Sequence, residues 1–240
     1  MERLLKIIKI IGIAFVAFFF CFYLLRIFGV LGLYRVPTSS MYPSIQPNSF
    51  VFTSKLIKPE RGEVYCFRKK LFNEPKPIMY IHRIVAVEGD TCEIRNGYVF
   101  VNGVRQDDKL ILAWPYFKKY DNKFTVEILM NAIQNNNNYK GCTPYNESLY
   151  IINESEIVAK NEKLINAKRE IDSLYAYSYK ENLFHTIDNQ NWTIGNYGPV
   201  IVPKGKYFML GDNRYNAYDS RYTGFIDESE MKEGILFIVQ

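Results

Sequence analysis

Three short segments carry side chains that could do chemistry: PTSSM at 37–41, YIHRIVAVEGD at 80–90 and GDNRYNAYDSR at 211–221. Taken singly, each has a plain explanation. Ser40 is a loop hydroxyl, His82 a strand histidine with one nitrogen satisfied, and GDNR a turn whose Asp and Asn bond their own backbone. Together they supply the parts of nucleophilic catalysis. A serine hydroxyl attacks poorly at its free pKa and needs a base within hydrogen-bond reach. Histidine titrates near neutrality without tuning. A carboxylate then fixes the imidazole's tautomer and steadies the cation that forms. Ser40, His82 and either Asp219 or Asp212 could fill these roles, because such groups are recognised by geometry rather than by chain order.

The elements that must hold these groups read as short strands. VPTSSMYPSIQPNSFVFTSKL has three prolines and then an alternating run, a loop feeding a strand. RGEVYCFRKK is a second strand. MYIHRIVAVEGD alternates Ile81, Arg83 and Val85 against His82, Ile84 and Ala86 and stops at Gly-Asp. EIRNGYVFVNG is a hairpin with an Asn-Gly turn and a second Asn-Gly after it. Strand character returns at NYGPVIVPKGKYFMLGDNR. Residues 106–195 differ: they contain NNNN at 135–138 and two helical patterns, one from Asn153 through Tyr175 with Asn153 and Glu156 as cap and box partner, the other from Phe124 to Ile133. The segment reads as an insertion between two halves of one β-domain.

The N-terminus is apolar. From Ile7 to Leu33 only Lys9 and Arg26 are charged, and Ile10–Leu25 is an unbroken apolar run. With Lys9 and Arg26 reaching toward the headgroups, the stretch spans the ~20 residues that a bilayer requires. No A-x-A-like cleavage site follows, so a retained anchor is expected rather than a removed signal peptide. Arg3, Lys6 and Lys9 before the span against Arg26 and Arg35 after it slightly favour a cytoplasmic N-terminus. The net charge is +5, with no basic cluster interleaved with aromatics, so no nucleic-acid partner is expected. Cys21 lies in the anchor. Cys66, Cys92 and Cys142 form no metal-type grouping with histidine, and no metal is expected. Cys66 and Cys92 could pair in an oxidising compartment; packed free thiols are the favoured reading. The sequons at Asn146, Asn153 and Asn191 matter only in a glycosylating host.

PTSSMYPSI, RGEVYCF, YIHRIVAVEGD, NGYVFVNG and YGPVIVPKGKYFMLGDNRYNAYDSRYTGF resemble, in order, the boxes of type I signal peptidases (the S26 family). These are membrane-anchored serine endopeptidases that remove signal peptides from exported proteins. The resemblance covers the anchor and about half of the remaining chain. It implies a mainly β fold: an anchor at 1–34, a catalytic β-domain from 35–105 and 196–240, and a partly helical variable insertion at 106–195. It implies Ser40, preceding Met41, as nucleophile, with its own backbone N–H and Thr38 forming the oxyanion hole. Arg221 is expected to pair with Asp219, and Arg83 follows the base. The implied partners are signal-peptide-bearing preproteins and the lipid bilayer, with no cofactor. The implied location is a plasma or inner membrane, with the N-terminus cytoplasmic and the catalytic domain on the outer face.

The chain departs from the bacterial pattern at two positions. Bacterial members carry a lysine base before the Arg of YIHR; here it is His82. The serine that supports that lysine is Ala217 here. The endoplasmic-reticulum branch of the family uses histidine with an aspartate, so a Ser40–His82 arrangement is expected, with Asp219 as preferred third member and Asp212 second. A lysine amine must be desolvated to act as base, whereas histidine near its usual pKa of ~6.5 needs no depression. The same changes would occur in a catalytically inactive homologue that binds signal peptides or serves as an accessory subunit. An esterase is disfavoured, since nothing resembles a G-x-S-x-G elbow. Lys69, Lys70 and Lys76 read as solvated loop lysines, and His185 as structural.

Overall fold

The computed structural model describes residues 2–70, 75–119, 142–144, 149–162, 165–166 and 192–240. A helix, Glu2–Ile27, opens the chain. At a rise of ~1.5 Å per residue it is about 39 Å long, more than the ~30 Å of a bilayer's hydrocarbon. It is long and apolar enough to cross a membrane, and among the described residues none of its apolar window is buried. The apolar stretch divides at its end. After a turn, Leu31–Arg35 leaves the helix and becomes the first strand, β1.

The strands that follow are β2 (Phe50–Ser54), β3 (Val64–Lys69), β4 (Ile78–Val87), β5 (Thr91–Arg95), β6 (Tyr98–Val101) and β7 (Val104–Arg105). Then come β8 (Ala113–Lys119), β9 (Cys142–Pro144), β10 (Leu149–Ser155), β11 (Ile165–Asn166), β12 (Tyr197–Ile201), β13 (Lys206–Leu210), β14 (Ile226–Asp227) and β15 (Met231–Val239). The main sheet has the order β1-β2-β15-β3-β4-β13-β14; two four-stranded sheets run β12-β5-β6-β7 and β11-β8-β10-β9. The Asn-Gly pairs turn as expected. Asn96 and Gly97 have φ of 51° and 81°, and Asn102 and Gly103 have 51° and 80°, the doubly left-handed geometry that suits tight hairpins.

Residues 149–162 correct one expectation. Asn153 does not begin a helix; it lies within β10, whose register against β8 runs from Leu149↔Lys119 to Ser155↔Ala113. The helix starts one strand-end later, at Glu156–Asn161, and its cap is Ser155, whose hydroxyl accepts from the Val158 N–H. Successive Ile151 and Ile152 suit a strand with a partner on each side, and pairing with β8 and β9 outweighs the helical spacing. Ile165–Asn166, expected within the same helix, are instead strand β11, paired with β8. The rest of that helical pattern beyond residue 162, the Phe124–Ile133 candidate and His185 lie outside the described residues.

Four apolar clusters fill the body. Cys66 and Cys92 are buried as free thiols in separate parts of it, and burial pushes both up to about 12. At neutral pH they are packing groups rather than nucleophiles.

Candidate active site

The loop that carries Ser40 leaves β1 and returns into β2. Its root is apolar: Val36, Met41, Ile45 and Val51 are buried together, with Tyr34, Val64 and Ile81 packed against them. Met41 and Ile45 are fully enclosed, and the Ile45 N–H closes a turn onto the Met41 carbonyl. Met41 therefore pins the chain immediately after Ser40. The Ser40 hydroxyl stays half-exposed and meets the Thr38 hydroxyl at 3.3 Å.

The 211–216 loop grips the same segment from the other side. The Asn213 N–H donates to the Ser40 carbonyl at 3.0 Å. Asn213 Nδ2 donates to the Ser39 carbonyl at 3.1 Å, and Asn216 Nδ2 to the Ser39 hydroxyl at 2.8 Å. Gly211 lies against the Ser40 carbonyl and the Ala217 methyl so closely that a Cβ at position 211 would overlap both. These four residues sit within or beside a segment that sequence reading singled out, yet only their neighbours had been given roles.

His82 is mounted on β4, where Tyr65 of β3 is its cross-strand partner. Across the other edge, Arg83 pairs with Leu210 at the end of β13. Gly211 follows Leu210 directly, so the loop that grips the Ser40 segment starts from the strand end that pairs with the neighbour of His82. The imidazole is buried, with the rings of Phe67 and Tyr80 at centroid distances of 5.7 and 6.0 Å. Its Nδ1 has no hydrogen-bond partner. Burial drives the His82 pKa down to about 4; the Asp219 charge opposes this, the Arg221 charge reinforces it, and Asp212 opposes it more weakly. The ring is neutral at neutral pH, but through desolvation rather than because it keeps an ordinary pKa.

Both candidate carboxylates are engaged elsewhere. Asp219, fully buried, receives Arg221 Nε at 2.9 Å and Nη2 at 2.7 Å, together with the Gly211 and Arg221 N–H groups. The expected pairing with Arg221 is present, and it occupies both oxygens. Asp212, also fully buried, receives Arg83 Nε at 2.9 Å and Nη2 at 2.6 Å. Arg83 also donates to the Gly62 carbonyl at 2.7 Å, joining β4 to the turn that precedes β3. Neither carboxylate bonds Nδ1 of His82. They act on the imidazole through space.

Sequence reading missed Asp107 altogether. Its buried carboxylate takes Arg214 Nη2 at 2.8 Å and Nη1 at 3.1 Å, and the Val99 N–H at 2.6 Å. No local signal identifies it, because Arg214 is 107 residues away in sequence.

A loop hydroxyl paired with a second hydroxyl, and a buried neutral imidazole on a strand of the same sheet body, are parts that a serine hydrolase uses. Comparison with known proteins narrows the class. The chain belongs to the signal peptidase family, peptidase S26, whose family model matches residues 4–239, and it is a serine endopeptidase. It is 24% identical over 217 residues to a signal peptidase I of Aquifex aeolicus (86% of this chain, 74% of the relative). It is 27% identical over 225 residues to a signal peptidase I of Buchnera aphidicola subsp. Baizongia pistaciae (85% of this chain, 68% of the relative). A solved signal peptidase I from Enterococcus faecalis aligns at 19% identity, covering 76% of this chain and 100% of that one, with a TM-score of 0.34.

Proposed function

We propose that this protein cleaves N-terminal signal peptides from exported preproteins, with Ser40 as nucleophile and His82 as general base. The observation that carries the reading is the 211–216 loop, which bonds the Ser40 carbonyl through Asn213 and continues directly from Leu210, the partner of Arg83 next to His82. The names of its relatives support the substrate class.

In this reading Ser40 Oγ attacks the scissile carbonyl as its proton passes to His82. The tetrahedral oxyanion is held by the Ser40 N–H and the Thr38 hydroxyl, which already lies 3.3 Å from Ser40 Oγ. The imidazolium then returns its proton to the leaving amine, and water repeats the sequence on the acyl-enzyme. Asp219 and Asp212 favour the transient cation electrostatically, because their oxygens are held by Arg221 and Arg83. A base whose pKa sits near 4 drives proton transfer less strongly than an ordinary histidine. More of the rate therefore falls to the oxyanion donors.

β4 offers a seat for an extended peptide. β13 pairs with Arg83–Val87, and Ile78–His82 run past its end. A substrate strand added there would lead its scissile bond toward His82. The helix Glu2–Ile27 would anchor the enzyme with its N-terminus in the cytoplasm and the catalytic body on the outer face, against the bilayer. Residues 35–105 and 196–240 form the catalytic part in this scheme, with 106–195 as the variable insertion.

The test is cleavage of a signal-peptide-bearing precursor by wild type beside Ser40→Ala and His82→Ala, with cleavage expected for wild type alone. Binding of the precursor without cleavage by wild type would favour an inactive, signal-peptide-binding homologue instead.

A further inference from the structure

We infer that Asp107 is a positioning residue for the nucleophile, acting through Arg214 on Gly211. The inference rests on Ser40 being the nucleophile.

Asp107 and Arg214 form an ion pair that is almost wholly enclosed, each side chain about 1% exposed. Two terminal nitrogens of Arg214 close on the carboxylate, and its third nitrogen, Nε, donates to the Gly211 carbonyl at 3.0 Å. All three nitrogens are thus committed in one plane, a geometry that only a guanidinium supplies. The fixed end of the chain of contacts is Asp107. Its Oδ2 also accepts from the Val99 N–H on β6, so the carboxylate is tied to the β5–β6 hairpin.

The other end is Gly211. It leaves no room for a Cβ against the Ser40 carbonyl, and its N–H donates to Asp219, the carboxylate with the largest effect on His82. Two residues on, Asn213 bonds the Ser40 and Ser39 carbonyls. The Arg214 carbonyl in turn accepts from Arg221 Nη2 at 2.5 Å, which joins the pair that holds Asp219. A single buried carboxylate therefore braces a segment that contacts both the nucleophile loop and the carboxylate acting on the base. The Ser40 hydroxyl is half-exposed on a loop, so without that brace the residue's carbonyl and its own N–H would lose their fixed aim. A small misplacement at this point is costly to rate while leaving peptide binding intact.

The test separates positioning from folding by removing the pair without leaving a buried charge. In the full chain, Asp107→Leu/Arg214→Met replaces the ion pair with apolar groups of similar volume, a change that buried pairs commonly tolerate. Cleavage of the precursor is measured well below each variant's unfolding transition, beside wild type, Asp107→Asn and Ser40→Ala. We expect the double variant to be folded, with kcat lowered about 30-fold, KM within about twofold and an unchanged pH midpoint. Asp107→Asn should lose at least as much. A folded double variant with wild-type kcat overturns the inference, as does a loss carried by KM. If wild type itself does not cleave, or Ser40→Ala cleaves as wild type does, it is the assignment of Ser40 that fails.

Discussion

Arg221 closes on Asp219 with two nitrogens on two oxygens, at 2.9 and 2.7 Å, in a site from which water is excluded. The carboxylate that a serine–histidine mechanism would assign to the imidazole is thereby committed to a guanidinium two residues away. His82 keeps a buried Nδ1 without a partner, and its neutrality comes from desolvation. In the proposed mechanism Ser40 and His82 would therefore work as a dyad under the field of two ion pairs, not as a hydrogen-bonded triad.

Removing either member of that dyad should be decisive. Ser40→Ala and His82→Ala are expected to reduce precursor cleavage to background. Thr38→Ala, which removes one oxyanion donor, should lower kcat by about two to three orders of magnitude and leave measurable activity. Steady-state kinetics on the three purified variants checks this, and normal turnover by His82→Ala would remove histidine from the mechanism.

The pH dependence follows from burial. A neutral imidazole is needed to accept the Ser40 proton, so activity should fall on acidification with a midpoint near 4 rather than near 6.5. Stability moves with it. Between pH ~6.5 and ~4 the unfolded chain binds a proton at His82 that the folded chain does not, so acidification through this window costs about 3 kcal/mol. Urea unfolding of wild type and His82→Phe across that range should show the loss only in wild type.

Asp219→Asn should damage the fold before it informs on catalysis. It leaves Arg221 charged in a fully buried site, and breaking such a pair typically costs about 3–5 kcal/mol. Thermal unfolding measures the drop. Asp219→Asn folded with wild-type stability would mean that the pair is not formed in solution.

Gly211→Ala tests the close approach of the 211–216 loop to the Ser40 carbonyl. The added methyl would collide with the Ser40 carbonyl and the Ala217 methyl. A loss of at least about 100-fold in kcat is expected, with far-UV CD unchanged. A well-tolerated Gly211→Ala would show that the two loops can separate without consequence.

Position 217 tests the base itself. His82→Lys alone should cleave poorly, because nothing orients the flexible amine. Adding Ala217→Ser, whose hydroxyl would project from the residue packed on Gly211, should recover part of the activity. Full rescue by lysine alone would make residue 217 irrelevant.

Much of this was legible in the sequence because the relevant chemistry is local. Asn96-Gly97 and Asn102-Gly103 announce their turns within two residues, and the resemblance to signal peptidases ran through contiguous segments. What escaped was decided by partners far off in the chain. Asn153 had a helix-cap pattern, but the strand pairing of β10 with β8 decided its fate. Asp219 was identifiable as a carboxylate near the base, but not that four donors would saturate it. Asp107 had no pattern at all, since its meaning lies in Arg214.

The order of strands in the main sheet also sets a timetable. β15 lies between β2, which adjoins the Ser40 loop, and β3, which pairs with the strand bearing His82. It is also the last of the described strands in chain order. Without Met231–Val239, the ladder β1-β2 and the ladder β3-β4-β13-β14 share no strand. In the proposed mechanism, the nucleophile and the base would therefore wait on the pairing of β15 with both neighbours.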